Sequence, residues 1–214
     1  VYYLDNMKIS YAITVCNELN EVTTLINFLL DHRRPEDEIV ILFDKGNGTD
    51  EVWSRIIELR QEKNVKYHAG TFKNHFADWK NKLTELCSGD YIFQIDADEV
   101  PNRMLIRNLP KILESNPDNE VYLVPRVNTV NGLLREDIEK WGWRVDGKNW
   151  VNWPDYQWRI WKNKPEIKWE NKVHEVLKGH KKYASLPPME DLALYHHKTI
   201  ERQRQQNKFY EGLL

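Results

Sequence analysis

The chain has 214 residues, 41% of them hydrophobic and 30% charged, with a formal net charge of -2. That size and mix suit one folded domain with a real core and exclude disorder, while near-neutrality without a long basic run excludes an electrostatic nucleic-acid binder. The apolar stretches are too short to cross a bilayer, no signal peptide is visible, and Cys16 and Cys87 cannot build a disulfide framework, so both read as reduced thiols of a cytoplasmic protein.

Residues 1–6 precede Met7-Lys8, which looks like a natural start, and are expected to be an expression remnant. A β-rich run over 8–15 comes next, followed by helical apolar spacing at Val22, Leu25, Ile26, Leu29 and Leu30. The near-continuous apolar run 38–43 reads as a strand buried on both faces. Gly46, Asn47 and Gly48 break the chain, and Asn47 or Thr49 can cap a helix that turns Val52, Ile56, Ile57 and Leu59 inward. A short strand over 65–68, a helix over 75–87 and a strand over 90–95 succeed it. Pro101 is expected in the first turn of a helix running to about Ser115, with a further strand over 120–127.

This alternation implies a mostly parallel central sheet with helices on both faces, whose ligands bind beyond the carboxyl ends of the strands. Those ends carry Cys16-Asn17-Glu18, Asp44 and Asp96-Ala97-Asp98-Glu99, three polar sets able to meet in one crevice. Beyond residue 127 the pattern changes. Seven of the nine tryptophans fall between Trp141 and Trp169, which is too aromatic for disorder. That region reads as loops and short strands packed over the sheet, closed by a last helix from Thr199. The expected organisation is thus 7–127 as one α/β half and 128–214 as the closing, acceptor-side segment of the same domain. The last residues, Gly212-Leu213-Leu214, stand inside a helical pattern, as in the first domain of a longer protein. Gly179-His180-Lys181-Lys182 reads as a solvated turn.

The sharpest feature is the run Tyr91 to Pro101, in which a buried strand delivers three carboxylates within four positions. Clustered carboxylates repel unless a cation sits among them, and Asp98 offers a hard oxygen ligand suited to Mg²⁺ or Mn²⁺ with substrate phosphates completing the shell. Acids that favour a helix dipole are the other reading.

Taken in order, these residues resemble family 2 glycosyltransferases of the GT-A fold. Ile13-Thr14-Val15-Cys16-Asn17-Glu18 is similar to the family's first strand and its Asn-Glu ending. Phe43-Asp44-Lys45-Gly46-Asn47-Gly48-Thr49-Asp50 resembles the second strand and its turn. Asp96-Ala97-Asp98 stands where the family's Asp-Xaa-Asp motif stands, and Val173-His174-Glu175 matches a motif of one lipopolysaccharide-core subgroup. The resemblance implies an enzyme that moves a sugar from a nucleoside-diphosphate donor, UDP-linked in preference, to a glycan or other hydroxyl acceptor. It implies that Thr14 and Asn17 or Glu18 border the nucleobase and that Asp44 accepts a hydrogen bond from the imide. Asp96 would meet the ribose or metal-bound water, and Asp98 would hold Mn²⁺ or Mg²⁺ against the phosphates. Lys80-Asn81 stands where the family often has Arg-Asn; a lysine meets phosphate as a point charge rather than as a planar fork.

The implied chemistry is a single displacement with inversion, in which a carboxylate deprotonates the acceptor. Glu175 is the expected base, with Asp155 and Glu99 in reserve. His174 is the expected third metal ligand, with His196 or His197 as substitutes. In an extended strand neighbours face opposite ways, so roles for both His174 and Glu175 require a bend between them. A nucleotidyltransferase would need a glycine-rich basic loop after the first strand, which Cys16-Asn17-Glu18-Leu19 does not provide. A carbohydrate-binding module would use the tryptophans but leave the three polar strand ends unexplained, and no carboxylate pair is spaced for glycoside hydrolysis.

Overall fold

The computed structural model describes residues 7–212; the expected remnant at 1–6 lies outside them. Strands β1 (Ile9–Val15), β2 (Glu38–Asp44), β3 (Val65–Gly70) and β4 (Tyr91–Asp96) alternate with helices α1 (Leu19–His32), α2 (Asp50–Glu58) and α3 (Phe76–Glu85). After them come β5 (Glu99–Pro101), α4 (Arg103–Ser115), β6 (Val121–Asn131), α5 (Arg135–Trp141) and β7 (Val151–Lys162). The chain closes with β8 (Lys168–Glu170), β9 (Val176–Lys178), β10 (Tyr183–Ser185), β11 (Leu194–Thr199) and α6 (Ile200–Glu211).

The main sheet runs β3-β2-β1-β4-β7-β6-β11-β5, with β10 beside β6. Strands β1 to β4 pair in parallel, whereas β7 is antiparallel to both β4 and β6. Alternate residues of each strand feed two cores. Ile9, Tyr11 and Ile13 of β1, with Ile39, Ile41, Phe93 and Ile160, pack under α1, α2 and α4. Ala12, Val40, Leu42, Ile92, Val121 and Trp161 pack on the other face under α3 and the β8–β9 hairpin. Both cores follow from the period-two alternation of strand side chains.

Two expectations are corrected. Pro101 is not in a helix: it ends β5, which pairs antiparallel with β11, and the helix starts only after Asn102, whose side chain accepts from the Met104 amide at 2.8 Å. The tryptophan-rich region is not only loops and short strands packed over the sheet, since its 12-residue strand β7 lies within the sheet between β4 and β6. That places Trp161 in the core, while Trp141, Trp143, Trp150, Trp153 and Trp158 stay half-buried. The division expected at residues 127/128 falls inside β6, so both halves build one sheet.

Cys16 and Cys87 are free, and burial pushes their thiols up to about 11 and about 12. No helix among the described residues is long and apolar enough to cross a membrane.

Candidate active site

A cavity of about 860 Å³ opens at the carboxyl ends of β1, β2 and β4. Parallel strands end together there, so residues far apart in sequence reach one space. Thr14 is the penultimate residue of β1 and Asn17 and Glu18 follow that strand, Asp44 ends β2, and Asp96 and Asp98 flank the turn after β4; all line the cavity. Lys80 from α3, Asp155 from β7, and His174 and Glu175 from the segment before β9 line it too. Every first-choice residue expected to touch donor, metal or acceptor therefore borders one space; of the reserves, Asp155 and His196 line it and Glu99 and His197 do not.

Asp44 is not a loose strand-end carboxylate. It is buried and accepts from the Gly46 amide (3.0 Å), the Asn47 side chain (2.8 Å) and the Phe72 amide (3.1 Å). A carboxylate has roughly four acceptor sites, so about one is left for the cavity. The turn is tight: the Gly48 amide donates to the Asp44 carbonyl at 2.7 Å, and a β-carbon on Gly48 would stand 2.3 Å from the Phe43 ring.

Glu18 does not cap α1 with its side chain; it folds back to accept from the Cys16 and Asn17 amides at 2.9 and 3.0 Å. Burial pushes its carboxyl above the usual range, and the nearby charge of Asp98 adds to this.

The cavity floor is an ion-pair network that sequence reasoning missed. Arg159 of β7 is 3% exposed and donates to Glu99 twice, from Nε at 3.1 Å and from a terminal nitrogen at 2.8 Å, and also to Asp96. Glu99 is fully buried and takes a further bond from Arg126 at 2.9 Å. Glu99 is thus held beneath the site and does not line the cavity. Burial alone would raise the Asp96 carboxyl, but Arg159, then Lys80, outweigh it and hold it below the usual range. Asp155 receives four hydrogen bonds at 2.6–3.0 Å, two from Arg126 and one each from Asn128 and Gln157.

The expected metal set of Asp98, Asp96 and His174 does not converge: no group of three or more His, Cys, Asp or Glu side chains among the described residues is placed to hold an ion. Asp98 instead faces His196 of β11, with Oδ2 3.3 Å from Nε2. Hydrogen bonding to Asn128 sets the tautomer of His196. Asn128 spends its amide NH₂ on Asp155, so its oxygen accepts from His196 Nδ1 at 2.9 Å. With Nδ1 donating to Asn128, the Nε2 atom turned toward Asp98 needs a proton or a metal ion between it and the carboxylate oxygen. Asp98 also meets Arg202 of α6 at 3.4 Å. Burial raises its carboxyl, but the His196 bond and charge, with Lys198 and Arg202, carry it well below the usual range.

Helix α6 crosses the cavity. Arg202 pairs with Glu21 of α1, Arg204 with Asp137 of α5 at 3.0 Å, and Phe209 meets the Phe76 ring edge-on at 6.4 Å. The basic and polar run Arg202 to Gln206 was the one signal in the sequence for this roof.

His174 has φ +54°, a left-handed backbone just before β9. This is the bend that lets His174 and Glu175 both border the cavity. Glu175 Oε1 lies 3.1 Å from Lys80 Nζ.

The family profile described as Glycosyl transferase family 2 matches residues 10–181. Among solved structures, that of S. aureus TarS 1-349 in complex with UDP aligns at TM-score 0.64 and 16% identity, over 89% of this chain and 60% of that one. The same fragment in complex with UDP-GlcNAc aligns at TM-score 0.64 and 17% identity, over 90% and 59%. At such identities the likeness shows the fold, and the chain spans about 60% of the TarS fragment. A comparison with curated protein sequences finds no match. The profile covers most of the chain and the sheet has the architecture of these structures: the chain belongs to glycosyl transferase family 2 and has the GT-A fold.

Proposed function

We propose that the chain is an inverting glycosyltransferase that moves a sugar from a nucleoside-diphosphate donor, UDP-linked in preference, to a hydroxyl of a glycan or other acceptor. The observation that carries this reading is the single cavity in which Asp44, Asp96 and Asp98 meet the cations Lys80, Lys198 and Arg202. Its volume of about 860 Å³ lies within the usual range for small-ligand sites. The TarS complexes with UDP and UDP-GlcNAc, built on the same fold, support the choice of donor.

In this reading Asp44 uses its remaining acceptor site for an N–H of the base, and Thr14, Asn17 and Glu18 border the ring. Lys80, Lys198 and Arg202 face the diphosphate. Asp98 and His196 would hold Mn²⁺ or Mg²⁺, because one oxygen and one nitrogen already turned toward each other suit an ion that keeps waters and phosphate oxygens as its other ligands. The bound ion would neutralise charge on the leaving diphosphate. Glu175 accepts the acceptor's hydroxyl proton as the acceptor oxygen bonds to the anomeric carbon. The bond from that carbon to the diphosphate oxygen breaks, and its electron pair leaves with UDP. Asp155 is bound by four donors and Glu99 is sealed below, so Glu175 is the carboxylate best placed to serve. Cys16 and Cys87, both unpaired, support a cytoplasmic setting.

Calorimetry with UDP, GDP and dTDP, with and without Mn²⁺, tests the reading. UDP should bind, and more tightly with Mn²⁺. Absence of binding by all three nucleotides under both conditions would remove the donor site from this cavity.

A further inference from the structure

Resting on the donor reading above, we infer that Lys80 is shared between Glu175 and the donor's diphosphate, so that donor binding is what releases the Glu175 carboxylate. The pair is built rather than incidental. Lys80 Nζ lies 3.1 Å from Glu175 Oε1, and the two side chains are only 12% and 14% exposed. The ammonium also sits 4.5 Å over the Trp169 ring, which confines it without bonding it.

The backbones behind the pair are clamped. Asn81, next to Lys80 on α3, donates to the Trp169 carbonyl at 2.9 Å and accepts from the Trp169 amide at 2.8 Å. The Phe76 amide donates to the Lys172 carbonyl at 3.0 Å. These contacts hold the segment carrying Glu175 against α3, so the pair changes only through side-chain rotation.

Lys80 and Asp96 line the same cavity, and the lysine's charge, after that of Arg159, helps hold the Asp96 carboxyl below its ordinary range. Lys80 thus shares with Glu175 the cavity into which the strand ends carry Asp44, Asp96 and Asp98, where a diphosphate would lie. A lysine ammonium is a compact charge on a flexible stem with three donors, and it can turn from one oxygen anion to another. A diphosphate carries more charge than one carboxylate and competes for it. Without donor, Glu175 has an oxygen occupied by Lys80. With donor, that oxygen is open to an acceptor hydroxyl. Lys80 is then a positioning residue for the base as well as a donor contact, and it sets the order in which the two substrates are used.

The experiment is a double-mutant cycle read by UDP calorimetry in Mn²⁺, on wild type, Glu175→Gln, Lys80→Met and the double variant, each first shown to melt cooperatively. If Glu175 competes with the diphosphate, Glu175→Gln tightens UDP about threefold or more, the scale of a partly screened ion pair. Lys80→Met weakens UDP, and adding Glu175→Gln to it changes nothing further. Glu175→Ala, which cannot bond Lys80 at all, tightens UDP at least as much as Gln. Unchanged or weaker UDP binding in both Glu175 variants overturns the inference. Equal tightening with and without Lys80 also overturns it, because simple charge repulsion then accounts for the gain. UDP failing to bind wild type is a separate result that refutes the donor reading itself.

Discussion

Arg159→Leu should be the most damaging single change beneath the site, and the structure supplies the magnitude. The substitution removes three charge-assisted bonds, two to Glu99 and one to Asp96. Glu99 stays fully buried and keeps only Arg126 at 2.9 Å and the Asp96 amide at 3.2 Å. Because Arg159 is 3% exposed, solvent cannot replace what it gave. Breaking one side of a buried pair costs about 3–5 kcal/mol. At about 2–4 °C per kcal/mol for a chain of this size, the melting temperature should drop by about 6–20 °C. Arg159→Leu combined with Glu99→Leu should recover part of that loss, since both charges then leave the core together. Thermal and urea unfolding of wild type, both single variants and the double variant measure this. A loss below about 1 kcal/mol for Arg159→Leu would refute the argument that this network holds the cavity floor.

Other consequences follow from the same geometry. Asp98→Asn is nearly isosteric and should still melt cooperatively, at a lower temperature because the charged contacts with His196 and Arg202 weaken, while abolishing the gain in UDP affinity on adding Mn²⁺; an undiminished Mn²⁺ effect by calorimetry would exclude Asp98 as a ligand. Asp44→Ala should weaken UDP binding by about 1–3 kcal/mol and also lower stability, because three donors lose their acceptor. In an assay of donor turnover, Glu175→Gln should cut transfer by roughly 10²–10⁴-fold while leaving UDP binding at least as tight. On acidification, Asp96, Asp98 and Glu38 all have carboxyls held below their ordinary values of 3.8, 3.8 and 4.5. Groups depressed by folding stabilise fully above those ordinary values, and their contribution is lost as pH falls through the lower folded ones. Glu18, raised by burial, acts in the opposite direction as a single group. Melts taken from about pH 7 to about pH 2 should therefore show stability falling below about pH 4, and a flat profile there would contradict the network.

The sequence by itself determined the units on the donor side. The runs over 8–15, 38–43 and 90–95 are apolar enough to be strands, and Val22, Leu25, Ile26 and Leu29 recur at helical spacing, so β1, α1, β2 and β4 were legible from local periodicity. It also set which polar groups stand at the strand ends, because the order of residues along a strand decides what emerges when the strand stops. Strand β7 was hidden: its outer stretch borders the cavity and is only half-buried, so it shows neither a buried apolar run nor clean alternation. Only the tertiary structure decided that β7 lies between β4 and β6, and this brings Arg159 to Glu99 across 60 residues of chain. Only the pairing of β11 with β5 and β6 decided that His196, rather than His174, faces Asp98 across 98 residues. Local patterns record which face of an element is buried; they do not record which element will cover it. Partner choice is set by strand order and by the packing of both cores at once, and so the network beneath the site and the Lys80–Glu175 pair became visible only in the folded chain.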